Sequence, residues 1–143
     1  MARGHPAVEA MVSAFEEVWA AGIEEPGEFA ARFAAVFGEA GQVPAEVRPG
    51  REQGVRALME ERPPSEADIP LAALAAARFP KLVCSSGGNP AYEAVCDVLE
   101  RELSAERMVL PGAGHGVQHA PGFNERFAAF LERAEAAAPV DEK

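Results

Sequence analysis

The chain has 143 residues, enough for one domain of ordinary size, and 48% of them are hydrophobic, which argues for a packed core and against wholesale disorder. The formal net charge is −10, from 23 acidic and 13 basic residues, so nucleic acid and anionic membranes are excluded as favoured partners because like charges repel. No apolar run approaches the roughly 20 residues needed to cross a bilayer, and the first residues lack the apolar segment of a signal peptide. A cytoplasmic location is therefore expected.

The first half of the chain is typical of helices joined by loops. Apolar residues across 6–21 recur at the spacing of one helical face, with a proline in the first turn and Gly22 at the end. A second amphipathic helix opens at 25–28 and closes at Gly38, and its phenylalanines, four residues apart, point the same way. The remaining predictions for this half are a loop at 39–50, a helix at 51–61, a break at 62–65 and a short helix at 71–77.

From Lys81 onward the apolar spacing changes from helix to strand. A brief apolar run at 81–86, bounded by a proline and by two glycines, predicts a strand buried on both faces. The elements predicted after it are a helix over 91–103, a strand over 107–110, a glycine-rich loop, a closing helix marked by Phe123, Phe127, Phe130 and Leu131, and a frayed tail from Ala136. This order is a βαβα unit, in which the strands are expected to pair in parallel through a right-handed crossover.

A single histidine stands in the loop after the second predicted strand. Pro111 ends that strand, and three glycines bracket His115, so the loop can turn sharply. Imidazole titrates near neutral pH and is the commonest general acid or base, although a histidine in a surface loop can also be incidental. Catalytic groups of parallel sheets collect at the carboxyl ends of the strands. His115 is therefore the candidate catalytic residue, with the loop at 85–89 as its expected neighbour.

Residues 79–87 and 107–115, the latter ending in Pro-Gly-Ala-Gly-His, read much as the last two strands of an α/β-hydrolase do. In that family the catalytic histidine follows the final strand, as His115 does here, and a helix with the pattern F-x-x-F-L comes next. The resemblance implies an α/β fold that is incomplete and hydrolase-like, mostly helical, with two short parallel strands. In it, residues 1–78 form a helical lid and residues 79–143 form the C-terminal βαβα part.

The resemblance also implies an activity, the hydrolysis of a small-molecule ester or similar acyl compound without a cofactor. His115 would exchange a proton with a serine nucleophile. The family carries that serine in a G-x-S-x-G elbow, which this chain lacks, and Ser85 and Ser86 lie instead at the end of the penultimate strand. The nucleophile and the oxyanion-hole amides would lie upstream of Met1 or in a separate half. The chain alone is expected to be a very poor esterase.

The carboxylate of such a triad is also missing from its usual place. Many relatives carry an aspartate a few residues after the penultimate strand, where this chain has Asn89, so the acid comes from the loop before the lid or there is none. Glu93 and Asp97 lie on the following predicted helix and are interpreted as its solvated face. Gln118 and His119 either line the pocket or form a solvated polar turn, and the turn is the favoured interpretation.

The two cysteines, Cys84 and Cys96, fall in a predicted strand and a predicted helix, and they are expected to be buried free thiols. Together with His115 and His119 they could supply four zinc ligands. They lack the close C-x₂₋₄-C pairing of structural sites, so no metal is predicted.

Two strands alone leave one edge of the apolar strand at 81–86 without a partner. The expected outcomes are self-association, pairing with a separate chain that carries the missing N-terminal hydrolase half, or covering by residues 1–78. Two functions therefore stay open. The chain is either the histidine-bearing part of an acyl hydrolase or a non-catalytic remnant that acts as a packing or self-association module.

Overall fold

The computed structural model describes Ala2 and residues 4–39 and 49–137. Within these ranges the chain is mostly helical, with a two-stranded parallel sheet, and it divides into two compact units between Asp68 and Ile69. Most of the loop predicted at 39–50 and most of the predicted tail lie outside the described residues. No helix in the described part combines the length and apolar content that a membrane span requires.

The first unit, here called the helical unit, follows the predicted order of helices. Proline occupies the first turn of its first two helices, where a missing N–H costs no intrahelical hydrogen bond. The bounds are α1 at Pro6–Ala20, α2 at Pro26–Val36, α3 at Pro49–Glu60 and a 3₁₀ turn at Pro64–Glu66.

Aromatic rings form the core of the helical unit. The Phe15 ring of α1 lies 5.7 Å from the Phe33 ring and 5.5 Å from the Phe37 ring, centroid to centroid. Phe29 is only 2% exposed and meets Trp19 edge to face at 5.3 Å. The phenylalanines of α2 therefore do lie on one side of the helix, as the four-residue spacing predicts, and α1 covers them. The Trp19 indole also donates to the Glu61 carbonyl at 2.7 Å, so its polar group is satisfied.

The second unit, here called the sheet unit, contains the predicted βαβα order, and its strands pair in parallel as predicted. A short helix, which the sequence assigned to the lid, also belongs to this unit. The bounds are α4 at Leu71–Ala76, β1 at Leu82–Ser85, α5 at Pro90–Leu103, β2 at Glu106–Val109, a 3₁₀ turn at Val117–His119 and α6 at Phe123–Ala136.

Strand β1 is buried on one face only. Val83 packs with Cys96 and Leu99 of α5, and Ser85 is buried on the same face two residues on. Leu82 and Cys84, which alternate with them, are half-buried. The prediction of a strand buried on both faces is therefore wrong for the second face of β1, because in the described part of the chain no further strand extends the sheet beyond it. On the same face of β2, Met108, which pairs with Cys84 in register, is only 2% exposed.

The two outer edges of the sheet differ. Two backbone hydrogen bonds of 2.8 Å lie at the ends of the ladder between the strands. The Glu106 amide donates to the Lys81 carbonyl, and the Leu110 amide donates to the Ser85 carbonyl. On the outer edge of β2, the Arg126 guanidinium of α6 donates to the Val109 carbonyl at 2.7 Å. In the described part of the chain no further strand pairs with β1. A charged side chain thus occupies one outward carbonyl of β2, whereas the outward Cys84 carbonyl of β1 has, among the described residues, only the weak thiol donor of Cys96, 3.9 Å away.

Candidate active site

Two loops leave the sheet at its carboxyl end. The strands end level, because Ser85 pairs in register with Val109, and the next amide, that of Leu110, donates to the Ser85 carbonyl. The first loop, residues 86–89, runs from β1 to α5, and the second, residues 110–116, leaves β2. Parallel pairing therefore places both loops at the carboxyl end of the sheet, which is where open α/β sheets bind their ligands.

Glycine is required where the first loop passes β2. Gly87 has a φ of +72°, and a Cβ atom there would lie 3.2 Å from Cγ1 of Val109. In the second loop, Gly112 and Gly114 also have positive φ values, of +80° and +60°. The loops can turn directly at the strand ends because these positions carry no side chain.

The structure places His115 at this edge, in the second loop. The residue is exposed, and its imidazole centroid lies 5.4 Å from the centroid of the Tyr92 ring, with the planes inclined at 39°. Tyr92 is in the first turn of α5, directly after the first loop. The contact therefore joins the two strand ends, and the predicted proximity of the two loops is confirmed.

A buried charged network holds the first loop, and the sequence did not reveal it. The Glu93 carboxylate accepts from the Gly87 amide at 3.0 Å and from the Ser85 hydroxyl at 3.1 Å. Nη2 of Arg107 lies 2.5 Å from Glu93 Oε2. The Glu93 side chain is 26% exposed and that of Arg107 12%. The interpretation of Glu93 as part of a solvated face is therefore wrong.

The Arg107 guanidinium lies near several carboxylates but hydrogen-bonds through only one of its nitrogens. Its Nη2 donates to the Ser85 hydroxyl at 3.0 Å, but its buried Nε and Nη1 make no hydrogen bond within the described residues. Asp97 lies 3.6 Å from Nη1, a distance at which attraction is ionic and no hydrogen bond forms. The Asp97 side chain is 69% exposed, so its interpretation as a solvated residue holds.

Asn89 fills a structural role at the position where the hydrolase resemblance would place an acid. Its side-chain oxygen accepts from the amides of Ala91 and Tyr92, at 3.0 and 3.4 Å, and so caps α5. The cap fixes the first turn of α5, which carries both Tyr92 and Glu93. Because the side-chain oxygen of Asn89 accepts these two amides, it is not placed to orient an imidazole.

Comparison with known families, curated proteins and solved structures found no relative of this chain. No family model matches the chain, and no curated protein or solved structure matches it. The likeness to α/β-hydrolases therefore depends on the strand, loop and helix order and on the Pro-Gly-Ala-Gly-His motif that ends at His115. Functional roles have to be argued from the side chains themselves.

Neither Ser85 nor the thiols offer an accessible nucleophile at this edge. Ser85 is 4% exposed, and its hydroxyl is held between Glu93 and Arg107. Both cysteines are free, with Cys84 half-buried and Cys96 buried, as predicted for Cys96. Burial raises the pKa of each thiol, only partly opposed by the charge of Arg107, so the thiolate that would attack a substrate is disfavoured.

The Gly87 amide in the glycine-rich loop before α5 is already bound by a carboxylate of the chain itself. A strand, a glycine turn and a helix N-terminus often cradle a phosphate on backbone amides. Here the Glu93 carboxylate already accepts the Gly87 amide and neutralises Arg107. The chain supplies its own anion at this position.

The other polar residues near the loop are solvated. Gln118 and His119 lie on the 3₁₀ turn at Val117–His119 and both are exposed, consistent with the polar-turn interpretation. Among the described residues, no group of three histidine, cysteine, aspartate or glutamate side chains is arranged to hold a metal ion. His115 is the exposed imidazole at the carboxyl end of the two strands.

The position of Arg107 in β2 is the sequence feature that could have indicated its ion pair with Glu93. The residue stands inside β2, and register pairs it with Val83, whose side chain packs against α5. A charge on a helix-covered face needs a partner of opposite sign, and Glu93 lies on that helix. The sequence could not identify Glu93 among the acidic residues of α5 because the choice depends on how the helix is rotated against the sheet.

Proposed function

We propose that this chain supplies the proton-transferring histidine of an acyl hydrolase, His115, and that a serine-bearing polypeptide segment outside the chain completes the site. The observation that carries the proposal is the exposed imidazole at the carboxyl end of a parallel strand pair, next to the loop that follows the neighbouring strand. An imidazole in that place can take a proton from a hydroxyl nucleophile and return it to the leaving group.

The proposal accounts for the state of Ser85 and of the two thiols, none of which is an accessible nucleophile. The side chain of Ser85 is buried in an ionic network, and burial raises the pKa of both thiols. A base without a nucleophile gives little rate acceleration. We therefore expect a purified preparation of this chain to hydrolyse a chromogenic short-chain ester at the same background rate as its His115→Ala variant.

The test of the proposal is labelling of the assembled protein with a fluorophosphonate. In this reaction the serine oxygen bonds to phosphorus, fluoride leaves, and the base takes the hydroxyl proton. The tagged chain is expressed in its native host and captured with whatever it is bound to, and the captured material is treated with the probe. We expect a labelled serine, with labelling at least about 100-fold slower when the captured chain carries His115→Ala.

The matched control is His119→Ala, which removes an exposed histidine from the adjoining 3₁₀ turn. This variant is expected to label at the wild-type rate. Two results would contradict the proposal. One is captured material without a reactive serine, and the other is a labelling rate that His115→Ala leaves unchanged.

A second candidate function, self-association, is favoured by the unequal sheet edges. In the described part of the chain β1 has no strand on its outer side, and α6 exposes Phe127 and Leu131. A self-association module would sediment as a dimer at micromolar concentration and would dissociate with Leu131→Glu. A monomer across the concentration range would eliminate this candidate.

A further inference from the structure

Tyr92 is the side chain against which His115 rests. The second loop is rich in glycine, so its backbone alone leaves the imidazole many positions. Its first amide, that of Leu110, donates to the Ser85 carbonyl, but the bonds nearer the histidine are short-range, from Ala113 to the Leu110 carbonyl and from Val117 to the His115 carbonyl. The ring contact at 5.4 Å instead crosses from the second loop to α5.

We propose that Tyr92 is a positioning residue for His115, and that the Glu93–Arg107 pair fixes Tyr92 by fastening the first turn of α5 to the strand ends. The proposal deepens the proton-transfer role proposed above and rests on it for its functional meaning. The geometry that it asserts stands without that role.

The first turn of α5 is held from several sides. The Asn89 cap closes its N-terminus, and the Glu93 carboxylate joins it to the Gly87 amide and to β2 through Arg107. Tyr92 therefore projects from a backbone that cannot shift without breaking charged hydrogen bonds. Its half-buried ring is a stable surface, whereas the loop that carries His115 has glycines at positive φ on its approach.

Such an arrangement matters for proton transfer because a displacement of about 1 Å can lower a rate about 100-fold. A flexible loop would hold the imidazole in the reactive position only part of the time. An aromatic ring beside it narrows that distribution through offset or inclined ring contacts, which contribute about 0.5 to 1.5 kcal/mol. Phenylalanine keeps the ring that makes this contact, so Tyr92→Phe separates the contribution of the ring from that of the hydroxyl.

The first test measures the ring contact by NMR on protein with labelled histidine. The His115 ring resonances are assigned by comparison with His115→Gln. They are recorded at one and the same pH for all variants. The Tyr92 ring current should displace the His115 ring protons from their positions in the unfolded chain. Tyr92→Phe should keep this displacement and Tyr92→Leu should remove it.

The second test addresses the ionic pair. Glu93→Ala should shift the His115 resonances toward their positions in Tyr92→Leu, because the first turn of α5 loses its link to β1 and β2. The matched control is Glu102→Ala, which removes an exposed carboxylate from the same helix and should leave the resonances in place. Circular dichroism verifies that each variant is folded.

The functional test repeats the fluorophosphonate labelling of captured material. Tyr92→Leu should slow labelling about tenfold or more, and Tyr92→Phe should restore it. Unchanged His115 resonances in Tyr92→Leu would overturn the positioning proposal whatever the labelling shows. Resonances that move while no His115-dependent labelling exists would instead refute the proposed function and leave the contact itself established.

Discussion

Different interactions stabilise the interior of the helical unit and the interior of the sheet unit. In the helical unit, five aromatic side chains of α1 and α2 pack on one another, and the one polar group among them, the Trp19 indole, finds a backbone carbonyl. In the sheet unit the apolar cluster around Val83 is small, and the best-buried charged residue, Arg107, binds a glutamate and a serine beside it.

The difference shows which part of the chain has its side chains fixed by directional bonds. Apolar packing is strong but tolerates adjustment, since rings can slide against one another at little cost. Hydrogen bonds between charged groups are directional, and they fix the atoms that they join. The directional contacts of the sheet unit surround the two strand-end loops, which is where a proton-transferring side chain would need a fixed position.

The largest expected effect is in the aromatic core. Phe29→Ala should lower the free energy of unfolding of the helical unit by about 3 to 5 kcal/mol, because it leaves a cavity beside Trp19. Trp19 is the single tryptophan of the chain, so its fluorescence during urea unfolding reports this unit. The control is Arg32→Ala on the same helix, whose side chain is 54% exposed, and it should cost less than about 0.5 kcal/mol. Equal costs would mean that the rings of α1 and α2 are not a packed core.

The next effect is in the charged network. Glu93→Ala should destabilise the sheet unit by about 2 to 3 kcal/mol, because Arg107 loses its nearest and best-buried counter-charge and keeps only the exposed carboxylates of Asp97 and Glu100, at 3.6 and 4.0 Å. Hydrogen exchange of the β1 and β2 amides measures this, and the Gly87 amide should lose most of its protection. Glu102→Ala is the control on the same helix and should cost less than about 0.5 kcal/mol. A Gly87 amide that keeps its protection in Glu93→Ala would show that the carboxylate does not hold the loop.

A smaller effect is expected at the outer edge of β2. Arg126→Ala removes the hydrogen bond to the Val109 carbonyl and should cost about 1 kcal/mol. It should also increase self-association in sedimentation experiments, because a second strand edge becomes available for pairing. Arg101→Ala, which removes an exposed arginine that pairs with its sequence neighbour, should change neither property. Arg126→Ala protein that associates no more than wild type would show that this side chain does not protect the edge.

The smallest effect is on the surface of the helical unit. Arg56→Ala removes an ion pair with Glu52 one turn earlier on α3 and should cost about 0.3 to 0.5 kcal/mol. The cost should disappear at high salt, because both side chains are about half exposed. A larger cost that salt leaves unchanged would show that Arg56 stabilises the helical unit by something other than a screened surface ion pair.

Local sequence rules sufficed for the elements but not for the network. The strand at 82–85 and the helix at 90–103 lie within one residue of their predicted ends, since proline, glycine and apolar spacing act over a few residues. The parallel pairing followed from the helix between the strands. Arg107 and Glu93 are 14 residues apart, and their contact depends on how α5 packs on the sheet.

The candidate site shows the same division. The position of His115 at a strand end followed from the Pro-Gly-Ala-Gly-His motif. Its contact with Tyr92 did not, because no spacing rule relates a residue after β2 to one after β1. The burial of Ser85 likewise depends on a partner from α5 and another from β2. A contact between distant segments becomes predictable only when the register and the helix rotation are both known.

The most direct measurement is the nuclear Overhauser effect between the rings of Tyr92 and His115. Tyr92 is the single tyrosine of the chain, so the cross-peak has one assignment on the tyrosine side. Parallel strands bring both residues to the same end of the sheet, and a cross-peak is the predicted result. Its absence, with His115 in contact only with its own loop, would contradict the shared edge on which the proposed proton-transfer site depends.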